Sequence, residues 1–301
     1  MAIVLGENQY GKAETRLVRI YRDSERHEIR DLNVSTALRG DFGAAYLTGD
    51  QSKVLPTDTQ KNTCFAFAKE HGVAEIEDYA LALAAHFTDD IESVTRARVD
   101  VEEYRWERVA VDGSEHSHAF VRSGHEVRTA AAVIDTEGFV KSHWVISGVK
   151  DLIVLKSTGS QFTGFLRDRY TTLEEAADRI LATSLTARWR YAWTDVEWHE
   201  AFTQVRQLLL ERFAVVHSLA LQQTLWEMGS AVLAARDDIA EIRLSAPNKH
   251  HFLVDLSPFG LDNPGEVFHA DDRPYGLIQC AVVRDGAPDA GPAWDLPASF
   301  A

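Results

Sequence analysis

Hydrophobic periodicity changes along this chain in one order, and later changes in much the same order again. Leu32, Val34 and Leu38 fall on alternate positions, the period of a half-buried strand. Residues 14–22 and 28–41 read as two strands of a hairpin, with the polar "DSERHE" between them. The period then lengthens. Ile76, Tyr79, Ala80, Leu83, Ala84 and Phe87 lie on one face of a helix, and an earlier helix is expected over 60–71, ending at Gly72. Alternation returns at Ala97, Val99 and Val101, then continues at Tyr104 and Trp106 in the opposite phase, which places a bulge near 102–103. Asp112-Gly113 marks a turn, with the next strand over 117–128.

The second half follows suit. Strands are expected at 129–136 and 140–156, then a short helix, because Thr172 and Glu175 have the spacing of a capping box. Trp189, Tyr191 and Trp193 alternate as on a strand. Helices follow at 196–214 and 218–236, the second striped by Leu221, Leu225, Met228 and Val232, and then strands at 239–245 and 250–256. The coarse order is strand-strand-helix-helix-strand-strand, twice. That is the α+β class, with an antiparallel sheet and two helices in each unit. The units are expected at 1–137 and 138–284, with a poorly ordered tail over 285–301. Tandem sheets have open edges, which invite closure by further subunits.

Composition narrows the partners. The formal net charge of −15 argues against nucleic acid and anionic membranes, and obliges any anionic ligand to find local positive groups. Two cysteines, Cys64 and Cys280, make neither a disulfide framework nor a zinc signature. No apolar run approaches the roughly 18 residues of a membrane span. The start of the chain lacks the pattern of a signal peptide, and "PASFA" is not a Ser-Lys-Leu address, so a cytoplasmic location is expected.

Two short motifs invite chemistry. "GENQYGKA", residues 6–13, is nearly a phosphate-binding loop. Such a loop needs a helix straight after the lysine and a Ser or Thr to hold magnesium. Here Ala13 follows Lys12, and "AETRLVRIYRD" reads as a strand. "EHSH" sets His116 and His118 on one strand face without an obvious carboxylate ligand in register, so no metal is expected.

Three stretches carry a resemblance: "PTDTQKNTCFAFAKEHG" (56–72), "KSTGSQFTGFLRDRYTTLEEAADR" (156–179) and "APNKHHFLVDL" (246–256). Together with "YGKAETRL" (10–17), in this order and spacing, the chain resembles the urate oxidases, or uricases, over roughly residues 8–283. The resemblance implies the tunnelling fold (T-fold): two tandem ββααββ units per subunit, and a homotetramer around a β-barrel tunnel, with sites at subunit interfaces. It implies oxidation of urate by dioxygen and water to 5-hydroxyisourate and hydrogen peroxide, a step of purine breakdown, with no metal and no organic cofactor.

The resemblance also assigns roles. Phe162 stacks on the flat ring, and Arg179 and Gln222 clamp its rim in plane. The backbone N–H groups of Asp58 and Leu221 complete the clamp. Lys12, Thr57 and His250 form a proton relay that produces urate dianion, and Asn248 holds dioxygen or water above the ring. His251 points the other way along the strand and is left out. Taken singly, Phe162 reads more readily as core, Arg179 as a helix-surface charge and Gln222 as a solvated helix start; it is their joint match to the family that favours the site. Two alternatives stand beside urate oxidation: a pterin-acting enzyme of the same fold, which would usually place a glutamate where Gln222 stands, and a purine-binding protein without catalysis.

Overall fold

The computed structural model describes residues 2–137 and 140–295. The chain is α+β and divides into two compact units. One comprises the described residues of Met1–Gly148, Arg190–Ala201 and Ala287–Ala301; the other comprises Val149–Trp189 and Phe202–Gly286. Both are discontinuous in sequence. Among the described residues no helix is long and apolar enough to cross a membrane.

In the first unit β1 (Tyr10–Tyr21) and β2 (Glu28–Gly40) form the expected hairpin. Three helices follow: α1 (Gly43–Thr48), α2 (Thr57–Glu70) and α3 (Ile76–Asp89). Then β3 (Val94–Val111) and β4 (Ser114–Asp135) complete an antiparallel order β1-β2-β3-β4. The α3 stripe is buried as its spacing requires, and it packs on β3 and β4 beside Leu32, Leu38 and Val99. The short α1 had no signal in the periodicity. The β3–β4 connection has left-handed backbone at both Asp112 (φ 51°) and Gly113 (φ 80°), the twist that suits a two-residue hairpin.

Two expectations are corrected here. The pairing of β3 with β4 slips between Tyr104 and Trp106, and again between Arg108 and Ala110, rather than at 102–103. The change of phase lets the Trp106 indole N–H donate to buried Asp31 at 3.0 Å. Residues 117–128 and 129–136 are not two strands but parts of the single β4. Arg128, where the two expected strands would meet, has a largely buried side chain. Its guanidinium donates to Glu75 (2.7 Å) and to the fully buried Glu77 (2.8 Å). The Ser147 hydroxyl donates to the other Glu77 oxygen at 2.5 Å.

β5 (Ser142–Lys156) begins in the first unit and ends in the second; β6 (Leu181–Tyr191) runs the reverse course. Then come α4 (Trp198–Val215), α5 (Leu221–Ala235) and a long strand β7 (Ile239–Leu253), where two shorter strands were expected. Two strands that periodicity did not reveal, β8 (Phe268–Asp271) and β9 (Leu277–Val283), pair antiparallel with successive parts of β7. The expected stripe of α5 is buried. Gly229 lets that helix approach β9, because a Cβ there would stand 2.5 Å from a Val282 methyl.

No helix forms over 157–180, contrary to the capping-box reading of Thr172 and Glu175. Glu175 instead accepts from the Gly164 N–H at 3.0 Å, and left-handed glycines at 159 (φ 75°) and 164 (φ 68°) bend the segment. Of the expected loose tail, Ala293 is buried and its carbonyl accepts from Arg98 at 2.8 Å; residues 296–301 lie outside the described residues.

Burial pushes the Glu77 carboxyl up, against the pull of Arg128 and the Ser147 hydroxyl. A group whose folded pKa is raised contributes stability that is fully present below its unfolded pKa and lost as pH rises through the folded one. Glu77→Gln should therefore gain stability relative to the parent as pH rises from acid to neutral, measured by denaturant unfolding across that range. Arg128→Met leaves the carboxylates buried without their cation and should cost roughly 3–5 kcal/mol in the same assay.

Candidate active site

Lys12 lies on β1 where that strand presses hardest on β2. A Cβ at Gly11 would stand 1.8 Å from the Thr36 carbonyl oxygen, so only glycine fits. Beyond Lys12 the register shifts, with Glu14 in left-handed backbone at φ 56°. Side-chain hydroxyls take over as acceptors at the bulge: Lys12 N–H donates to Thr36 Oγ1 at 3.2 Å, and Glu14 N–H to Ser35 Oγ at 2.9 Å.

Thr57 and Asp58, both exposed, open α2. Pro56 stands at the N-cap and supplies no side-chain cap, and the first intrahelical bond runs from Gln60 N–H to the Pro56 carbonyl at 3.1 Å. The amides of Thr57, Asp58 and Thr59 thus face outward from the positive end of a helix, a natural seat for an anion. The Asp58 carboxylate is engaged sideways, with Lys61 and with Asn62 at 3.0 Å. Lys61 holds its carboxyl below the usual range, and the Lys12 charge pulls in the same direction. No hydrogen bond joins Lys12 to Thr57 among the described residues.

In the second unit, irregular backbone carries Phe162 and Arg179. Ser160 bridges to Ser218, and Phe162 exchanges two bonds with Ala176, at 2.8 and 3.0 Å. Asp178 draws the ends of this segment together. One oxygen accepts from the N–H groups of Gly159 (2.9 Å) and Ser160 (3.3 Å), and the other from the Thr158 hydroxyl (2.5 Å). Arg179 N–H donates to the Ser160 carbonyl at 2.7 Å, and its guanidinium lies 5.2 Å from the Phe162 ring centroid. Phe165 stacks on Phe162 at 4.8 Å.

The Arg179 guanidinium is half-buried, and desolvation holds its pKa below the usual value. Among the described residues it has no ion-pair partner, and its Nε is buried without a hydrogen-bond acceptor. The same backbone knot leads into α5. Gln161 N–H donates to the Ser218 carbonyl at 2.9 Å, and Thr224 donates to the Ser218 hydroxyl at 2.7 Å. Leu221, buried, and Gln222, exposed, begin that helix behind an Ala220 N-cap that supplies no side-chain cap. The Leu221 and Gln222 amides are therefore a second set of outward donors.

Asn248 and His250 share one face of β7, as alternate residues must. Asn248 N–H donates to the Gly276 carbonyl at 2.8 Å, and the His250 ring stacks on Phe252 at 5.8 Å. His251 turns its Nδ1 towards the Lys249 carbonyl at 3.2 Å. The structure thus gathers Phe162, Arg179, Leu221 and Gln222 about one knot. Lys12, Thr57 and Asp58 lie together in the other unit. Asn248 and His250 have no hydrogen bond to either group among the described residues.

The sequence model of the family described as Uricase matches residues 8–133 and 145–279. The chain is 52% identical over 298 residues to a uricase of Arthrobacter globiformis, covering 99% of this chain and 96% of that protein. It is 38% identical over 280 residues to a uricase of Danio rerio, covering 91% and 93% respectively. The crystal structure of the Arthrobacter globiformis uricase superposes with a TM-score of 0.92 at 51% identity, covering 98% of this chain and 100% of that one. The chain belongs to the uricase family. Its fold is the T-fold of that family, and it is an enzyme of the oxidoreductase class. The urate oxidase of Bacillus sp. TB-90, at 23% identity, shares the fold with a TM-score of 0.80 over 92% of this chain.

Reasoning from sequence missed the residues that hold the backbone around Phe162 and Arg179 in shape. Asp178 was hidden beside Arg179, and nothing in "AADR" announces that its carboxylate closes a loop some 20 positions back. Lys156, whose ammonium donates to the Val216 carbonyl at 2.5 Å, likewise steadies the approach to α5. The Thr158 hydroxyl and then the loop N–H groups hold the Asp178 carboxyl below the usual range. Its closure of the loop is therefore present above the ordinary carboxylate range and lost as pH falls through the folded pKa. Asp178→Ala should speed hydrogen exchange at the Gly159 and Ser160 amides by about five- to tenfold at neutral pH, the loss of a typical hydrogen bond. The α4 amides should be unchanged.

Proposed function

We propose that this chain oxidises urate with dioxygen and water to 5-hydroxyisourate and hydrogen peroxide, using no metal and no organic cofactor. The observation that carries the reading is Arg179: a partly desolvated guanidinium without a counter-ion, beside an aromatic face and a helix start that presents open amides. Such a group favours a flat anion with acceptors on its rim. Urate is one. Phe162 stacks on it, Arg179 donates in plane, and Gln222 offers both a donor and an acceptor. The amides of Leu221 and Asp58 complete the edge.

The ring itself must supply the electrons. Removing a second proton makes it electron-rich enough to reduce dioxygen. Thr57 is not a base, but its hydroxyl passes the proton on to Lys12, which serves as the acceptor. The dianion gives electrons to dioxygen, a C5–O bond forms, and protonation leaves a 5-hydroperoxide. Water then adds at C5 as the hydroperoxide C–O bond breaks, and hydrogen peroxide leaves with the electron pair. Asn248 holds dioxygen or water over the ring, and His250 completes the relay. The family likeness further supports a homotetramer in which Lys12 and Thr57 of one subunit face Phe162, Arg179 and Gln222 of another.

Adding urate in air tests the reading: its ultraviolet band should decay while peroxide accumulates, one for one. An unchanged band would refute it. Arg179→Lys keeps the charge but loses the planar fork, and should lower kcat/KM by roughly 2–4 kcal/mol. Shared sites make a separate prediction. Thr57→Ala and Arg179→Ala subunits, each inactive alone, should recover activity when unfolded and refolded together. Proven mixing without recovery would place each site within one chain.

A further inference from the structure

The core-facing stripe of α2 consists of Gln60, Cys64 and Ala68, all buried, at successive i, i+4 positions. A carboxamide at the head of such a stripe is anomalous. Gln60 is fully buried, and burying that group costs free energy unless its polar atoms are satisfied. They are satisfied in one particular way. Its Oε1 accepts from the Thr36 hydroxyl at 2.7 Å, and its Nε2 donates to the Leu55 carbonyl at 3.4 Å. Thr36, itself 1% exposed, accepts in turn from the backbone N–H of Lys12. An unbroken run of hydrogen bonds therefore joins Lys12 on β1, Thr36 on β2, Gln60 in the first turn of α2, and the segment leading into Thr57.

We infer that Gln60 and Thr36 are positioning residues for the proton relay: they fix the strand that bears Lys12 against the helix start that bears Thr57. The inference rests on the reading of Lys12 and Thr57 as that relay. Two details support a role beyond packing. Lys12 is the last β1 residue in ladder register, opposite Thr36, before the register shifts, and the Thr36 hydroxyl accepts from its N–H at that edge. Gln60 also reaches both sides of the gap, to Thr36 and to Leu55, whereas an apolar side chain would fill the space without fixing either.

Proton transfer is sensitive to such placement, because a displacement of about 1 Å costs up to 10²-fold in rate. Thr36→Val keeps the volume and removes the hydroxyl; Thr36→Ser keeps the hydroxyl. Thr36→Val and Gln60→Met should each lower kcat about ten- to hundredfold with urate KM within about threefold, and each should shift the inflection of the pH–kcat profile at which rate falls as the relay base is protonated. Thr36→Ser should stay within about threefold of the parent. The double variant Thr36→Val/Gln60→Met should be no worse than the more impaired single one, since both cut one chain. Parent-like kcat and pH profile in folded Thr36→Val would overturn the inference, as would equal losses in Thr36→Val and Thr36→Ser. Lys12→Met, measured alongside, separates the two levels: normal turnover there would sink the relay itself. A lost kcat in Lys12→Met with parent-like Thr36→Val would sink only the positioning role.

Discussion

A guanidinium partly withdrawn from water, with no carboxylate beside it, is costly to maintain, and the second unit is organised around that cost at Arg179. The chain as a whole carries 46 acidic residues against 31 basic ones, so pairing Arg179 with one of them would have been easy. Its neighbour in sequence, Asp178, is spent otherwise. That carboxylate accepts from Thr158, Gly159 and Ser160, which shapes the backbone while leaving the arginine uncompensated. In a strongly negative protein this is how an anion can be drawn to one place: a cation without a carboxylate partner outweighs the general repulsion only at close range.

The two helix starts extend the same logic. Both α2 and α5 begin without a side-chain cap, behind Pro56 and Ala220. A Ser or Asp at either N-cap would stabilise its helix by about 1 kcal/mol, and would fill the amides that an anionic rim could use. Stability forgone at both helix ends and at the bulge beside Lys12 is recovered elsewhere, in the buried stripes of α3 and α5 and in the Arg128 network.

Much of the scaffold was legible in the sequence because it rests on local period. The β1–β2 hairpin, α2, α3, α4 and α5 fall close to where alternation and helical spacing placed them. What escaped depends on contacts distant in sequence. Thr172 and Glu175 have capping-box spacing, but Glu175 finds the Gly164 N–H first, and no helix forms. Residues 117–128 and 129–136 read as two strands but run as one, with Arg128 at their join paired to Glu75 and Glu77. β8 is only four residues long, and β9, though apolar, has no alternation of polar and apolar residues to mark it as a strand. The candidate site was illegible from period alone, because its residues are scattered from 12 to 250 and each has an ordinary reading alone. Resemblance supplied them. It could not supply Gln60, for which one physical signal was present: a carboxamide in line with Cys64 and Ala68.

The two groups of residues also divide the chemistry by what each side chain can do. Arginine holds its proton throughout the range in which proteins work, so it can bind an anion but cannot accept from it. Lysine changes its protonation state readily once its surroundings are altered, but as a point charge it orients a planar ring poorly. A site that must both grip a flat anion and deprotonate it therefore gains from keeping the two cations apart. On the proposed reading, Arg179 would serve in the clamp and Lys12 would act only through Thr57. Were Lys12 to touch the ring directly, it would pair with the anion as a counter-ion and hold its own proton more firmly. In the proposed relay, an intervening Thr57 hydroxyl would allow a proton to pass while keeping the ammonium off the rim. That arrangement works only if Lys12 and Thr57 keep a fixed separation, which is why a buried hydrogen-bond chain between their two elements matters more than the strength of any single bond in it.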